Sequence, residues 1–92
     1  MNINMNEVAQ FVSTKVLVVH RRNGGAMRQL DLSLPLKDAT LLLDSLDLAE
    51  IVAEIEREYR VNLFEGTTGI TCWNHIVDAI VTSQRKDSEH LS

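Results

Sequence analysis

Cysteine, proline and aromatic residues are all scarce in this chain of 92 residues. The lone cysteine, Cys72, leaves no internal disulfide to staple the fold. With one proline, Pro35, and four glycines, little interrupts regular structure. Four aromatic residues oblige the core to be aliphatic. The longest apolar runs, such as Val16 to Val19 and Leu41 to Leu43, are too short to span a bilayer, so no membrane insertion is expected. The start of the chain has no basic segment leading into an apolar one. With the unpaired cysteine, this implies a cytoplasmic location. Clustered basic residues are missing too, which argues against nucleic acid as a partner.

What is present fits a single small domain. Apolar residues make up 45% of the chain and charged residues 24%, the balance of an ordinary globular domain rather than a disordered tail. The length allows one modest core and no deep cleft beside a cofactor domain. Charge is concentrated. The segment Asp44 to Arg60 holds six acids against two bases, so it accounts for the whole formal charge of -4.

Met5, Val8, Val12, Val16 and Val19 recur at spacings of three and four, which predicts a first amphipathic helix over 4 to 19. Gly24-Gly25 ends it, and a long connection to Asp44 follows, carrying Arg21, Arg22 and Arg28 as an exposed basic loop and then Leu30, Leu32 and Leu34. Those leucines are expected to pack over helix ends, since the chain has no second alternating run to pair with them as a strand. A second helix is predicted from Ser45 to Tyr59, capped by Asp44 or Ser45. The two glycines of Gly66-Thr67-Thr68-Gly69 favour a turn, where the family resemblance described below implies a short helix, and a last helix follows with Thr71 as its N-cap and Trp73, Ile76, Val77 and Ile80 on its apolar face. Beyond Ser83 the polar sequence predicts a frayed tail. The fold class is therefore all-α, a small four-helix bundle of three longer helices and one short helix or turn, with a long first loop.

Within the second helix, Leu48, Ile51, Val52, Ile55 and Tyr59 share one face, and Asp47, Glu50, Glu54 and Glu58 form an acidic stripe. Leu46, Ala49 and Ala53 fall on a third sector beside that stripe. A surface of this kind suits a partner that is basic and locally apolar. The segment Asp44-Ser45-Leu46-Asp47, followed by Glu50, Glu56, Glu58 and Tyr59, resembles the acyl carrier protein family, whose attachment motif reads Asp-Ser-Leu ahead of an acidic helix with an acidic-acidic-aromatic ending. The resemblance extends over about 40 residues, and it implies an acyl-carrier-like domain over 1–84, with 85–92 as a polar C-terminal tail.

The resemblance implies that Ser45 carries a 4'-phosphopantetheine arm, donated from coenzyme A by a phosphopantetheinyl transferase, whose thiol holds acyl groups as thioesters. The phosphodiester would lie near the free N–H groups of the helix start, which favour an anion. Asp44 and Asp47 could help to place Mg2+ during arm transfer. Asp44, Leu46, Asp47, Ala49, Glu50, Ala53 and Glu54 would meet acyl-transferring or acyl-activating enzymes through basic docking patches, in fast, weak, salt-sensitive encounters. The aliphatic core could open to receive part of an acyl chain, at roughly 0.8 kcal/mol per methylene removed from water. Such a carrier is no enzyme, is expected to be a monomer, and serves fatty-acid, lipid or secondary-metabolite synthesis. Two features point to a specialised member. Leu42-Leu43 stand where many members carry glycine two residues before Asp-Ser-Leu, on an approach from Asp38 a few residues short, and Arg57 replaces a common acid.

Other readings follow from the same residues. The scaffold could be an aminoacyl or aryl carrier loaded by an adenylating ligase, or an unmodified acidic helical interaction module in which Ser45 merely caps its helix. A hydrolase with Ser45 as nucleophile lacks a base placed by sequence and a Gly-x-Ser-x-Gly elbow. His20, His75 and His90 are not spaced as zinc ligands, and Cys72 reads as a filler of core or surface.

Overall fold

A computed structural model describes residues 4–63 and 70–91, with side chains described as far as Gln84. Among the described residues the regular elements are three α-helices and one 3-10 turn, with no strand: α1 (Met5–Arg22), the turn Ala39–Leu41, α2 (Ser45–Tyr59) and α3 (Trp73–Leu91). The short element expected around 66 to 69 lies outside the described residues.

Each helix starts and stops for a local reason. The side chain of Asn4 caps α1 by accepting from the Asn6 N–H at 2.8 Å, and Arg21 and Arg22 in the last turn complement the negative helix end. This helix runs three residues past Val19, so Arg21 and Arg22 belong to it and not to the basic loop expected of them. Asn23 closes it, with its N–H on the Val19 carbonyl at 3.0 Å, and Gly24 then turns the chain at φ 97°, a conformation glycine adopts without strain. The end of α2 is Arg60, itself left-handed at φ 55°.

The core joins Val8, Val12, Val16 and Val19 of α1 to Ile51, Val52 and Ile55 of α2 and Trp73, Ile76, Val77 and Ile80 of α3. It is aliphatic, as the composition requires, and among the described residues Trp73 is the one fully buried aromatic residue. Met5, expected on the α1 stripe, is 47% exposed instead. Phe11 and Tyr59 meet edge to face at its margin, their centroids 5.4 Å apart.

The long first loop is tied down. The Leu32 carbonyl accepts from the Asn74 N–H at 2.9 Å, and the Leu36 N–H donates to the Thr71 carbonyl at 3.1 Å. Leu30, Leu32 and Leu34 pack against the core from outside while Leu36 and Leu41 enter it. Thr71 lies two residues before the first residue of α3, and its N–H donates to His75 Nδ1 at 3.1 Å. Thus a loop carbonyl serves one of the first N–H groups of α3. The frayed tail is not observed: α3 continues through Leu91.

His20 anchors the other end of the loop. Its ring is 2% exposed, with Nδ1 2.8 Å from the Leu41 carbonyl and Nε2 3.1 Å from the Met27 N–H. This pairing makes Nδ1 the donor and Nε2 the acceptor, so the ring is a neutral imidazole joining α1 to both ends of the loop.

Candidate functional site

Ser45 is the first residue of α2 and is exposed, but it does not cap the helix. Asp44 does. Its Oδ1 accepts from the Asp47 N–H at 2.7 Å, and Asp47 Oδ2 accepts from the Asp44 N–H at 3.3 Å, a reciprocal capping box. The Ser45 hydroxyl is thereby released from structural duty. Its hydrogen bond comes from across the turn, where Lys37 Nζ donates to Ser45 Oγ at 3.2 Å.

The approach to the helix brings Lys37 to that position. The Asp38 carbonyl and side chain accept from the N–H groups of Leu41 at 3.0 Å and Thr40 at 3.1 Å, and the Thr40 hydroxyl also bonds to Asp38. Leu42 then reverses the chain at φ 61°, ψ 29°, in the left-handed region. A leucine held there costs about 1–2 kcal/mol. Leu42→Gly is therefore expected to keep or raise the urea midpoint despite losing a leucine, whereas Leu42→Val, branched at Cβ, should cost about 1–2 kcal/mol more than wild type.

The acidic stripe is compensated from α1. Arg22 Nη2 lies 3.1 Å from Asp47 Oδ1, Arg22 Nη1 lies 3.3 Å from Glu50 Oε2, and Lys15 Nζ lies 3.7 Å from Glu54 Oε2. Residue 15 pairs with 54 and residue 22 with 47 and 50, so α1 and α2 run antiparallel where they meet. Asn23 Nδ2 adds a bond to Asp47 Oδ2 at 2.8 Å. That bond, the Asp44 N–H and Arg22 hold the Asp47 carboxyl below the usual carboxylate range, and Glu50 foremost holds the Arg22 guanidinium above its ordinary value. Both carboxylates expected to place a cation, Asp44 and Asp47, are thus engaged in the helix start. Among the described residues no three His, Cys, Asp or Glu side chains gather as a metal site.

Leu46, Ala49 and Ala53 are exposed, as their sector of the helix requires, Leu46 at 81%. Along this side of α2 runs a shallow groove of about 320 Å³, lined by Lys37, Leu48, Ala49, Val52 and Ala53, with Ser45 at one end and Glu56 at the other. Glu56 also accepts from the Leu63 N–H at 2.9 Å. His20 and His75 are occupied in the fold and are brought neither to Ser45 nor to each other's partners. Half-buried Cys72 forms an isolated bridge with Pro35.

Lys37 is the residue beside Ser45 that periodicity did not find. One signal was present: it is the only base between Arg28 and Arg57. No described helix is long and apolar enough to cross a membrane. Searches against family models, curated proteins and solved structures found no match to this chain.

Proposed function

We propose that the protein is an acyl carrier of the four-helix-bundle kind, modified at Ser45 by a 4'-phosphopantetheine arm. The observation that carries this reading is the state of the Ser45 hydroxyl. It is exposed on the first turn of α2, relieved of capping by Asp44, and faced by the Lys37 ammonium at 3.2 Å. A bare helix cap would use its oxygen on its own backbone. This one is turned to a cation, in surroundings that suit a phosphodiester.

Loading would join Ser45 Oγ to the β-phosphorus of coenzyme A and break the bond to 3',5'-ADP, while the hydroxyl proton passes to a base of the transferase or to water. The arm supplies the thiol on which acyl groups ride. The chain's own residues root the arm, cover part of it and present it. The apolar floor of Leu48, Ala49, Val52 and Ala53 would shelter the first atoms beyond the phosphate. Leu42, at the place where many carriers have glycine, holds a left-handed backbone that glycine adopts most readily.

Docking would use Leu46, Ala49 and Ala53 with Glu50 and Glu54. The solvent-accessible pairs Arg22–Glu50 and Lys15–Glu54, the second half-buried, are each worth about 0–1 kcal/mol, so a basic partner can replace Arg22 or Lys15 at small cost. Asp47, held by three donors, is the least exchangeable of the acids.

The test is intact mass after incubation with coenzyme A, Mg2+ and a broad-specificity phosphopantetheinyl transferase. Wild type should gain the mass of one arm and Ser45→Ala none. A wild-type protein that stays unmodified, or a Ser45→Ala protein that is still loaded, refutes the proposal.

A further inference from the structure

We infer that Lys37 is the positioning residue for the phosphate esterified to Ser45, an ion-pair partner that fixes the root of the arm. The inference rests on the carrier reading above and goes beyond it, since that reading requires only an accessible hydroxyl.

Among the bases near α2, Lys37 differs in what it faces. Lys15 and Arg22 pair with Glu54, Asp47 and Glu50. Lys37, among the described residues, has no carboxylate within ion-pair distance and donates to the Ser45 hydroxyl. A cation that bonds to a neutral hydroxyl at 3.2 Å is already within reach of an anion built on that oxygen. Replacing the hydroxyl by a phosphodiester would convert the contact into a charge-assisted one.

The backbone on each side of Lys37 is held. The preceding residue, Leu36, is 9% exposed in the core, with its N–H on the Thr71 carbonyl at 3.1 Å. The following residue, Asp38, caps the Ala39–Leu41 turn and donates its N–H to the Pro35 carbonyl at 3.1 Å. Only the lysine side chain has to be ordered to meet the phosphate. Nearby acids do not compete for it, because Asp44 and Asp47 are committed to the capping box and to Arg22 and Asn23. They do make an uncompensated phosphate unfavourable at this end of α2, and the Lys37 charge offsets that repulsion.

The experiment compares unloaded and loaded forms of wild type, Lys37→Gln and Lys37→Arg. Intact mass establishes loading. Thermal midpoints and the 31P resonance of the diester then report on the pair. At low salt, the loaded-minus-unloaded midpoint should be about 1–5 °C more positive in wild type than in Lys37→Gln. Lys37→Arg should restore the difference, and added salt should diminish it. The 31P resonance should move in Lys37→Gln and stay near the wild-type position in Lys37→Arg. If Lys37→Gln does not accumulate its loaded form, wild type alone decides: its midpoint difference must fall as ionic strength rises, and a flat response overturns the assignment. Equal differences in all three loaded proteins with an unmoved 31P resonance overturn this inference and leave the carrier reading standing. A wild-type protein that takes up no arm refutes both.

Discussion

Placing alanine at Gly25 is expected to destabilise the fold by about 1–3 kcal/mol, the usual cost of forcing an extra group into filled space. A Cβ built on Gly25 would overlap Cε1, Nε2 and Cδ2 of the His20 ring. The ring cannot yield cheaply, since moving it breaks its bonds to both Leu41 and Met27. His20→Ala removes the ring outright and leaves the Leu41 carbonyl and the Met27 N–H without it, for a loss of about 2–5 kcal/mol. The informative measurement is the double variant. With the ring gone, alanine at position 25 has room, so the two losses should fall short of additivity by about 1–3 kcal/mol in urea unfolding followed by circular dichroism. Strict additivity would mean that glycine is needed there for some other reason.

Trp73→Ala should cost about 3–5 kcal/mol, a large share of the 5–15 kcal/mol typical of a small domain. Trp73 is the largest fully buried side chain, at the first turn of α3 where the loop carbonyl of Leu32 docks one residue further on. Its indole Nε1 is buried with no hydrogen-bond partner among the described residues. A buried donor left unpaired costs about 1–3 kcal/mol, which is already charged against the native protein. Trp73→Phe removes that donor while leaving a smaller cavity, and the two effects oppose each other. Its stability should therefore lie within about 1 kcal/mol of wild type. A loss as large as that of the alanine variant would show that the indole nitrogen has a partner after all.

The parts of the fold that the sequence disclosed are those set by a repeating apolar pattern. The bounds of α2 follow from Leu48, Ile51, Val52 and Ile55, with Asp44 before them as a cap, and the structure gives Ser45–Tyr59. Where a pattern is missing, the reading stops early. His20 is as buried as Val12, Val16 and Val19 but is polar, so the apolar pattern of α1 ends at Val19. The last turns of α3 contain Gln84, Arg85, Lys86 and Glu89, residues of good helix propensity with no apolar stripe to announce them.

Features of the site were harder to see because they arise between segments. The exposed sector of Leu46, Ala49 and Ala53 follows from helix geometry alone. The proximity of Lys37 to Ser45 depends on the left-handed turn at Leu42, and leucine is not a turn signal. The pairing of Asp47, Glu50 and Glu54 depends on the register of α1 against α2, which periodicity leaves unspecified.

That register has a bearing on chimeras. The electrostatic character around Ser45 is a joint product of two helices, and the stretch Asp44 to Arg60 transplanted into another bundle would arrive with its net charge of -4 but without Lys15, Arg22 or Asn23. A hybrid made that way would advertise a more negative front than its parent, and any charge-dependent binding measured on it would describe the graft rather than the donor.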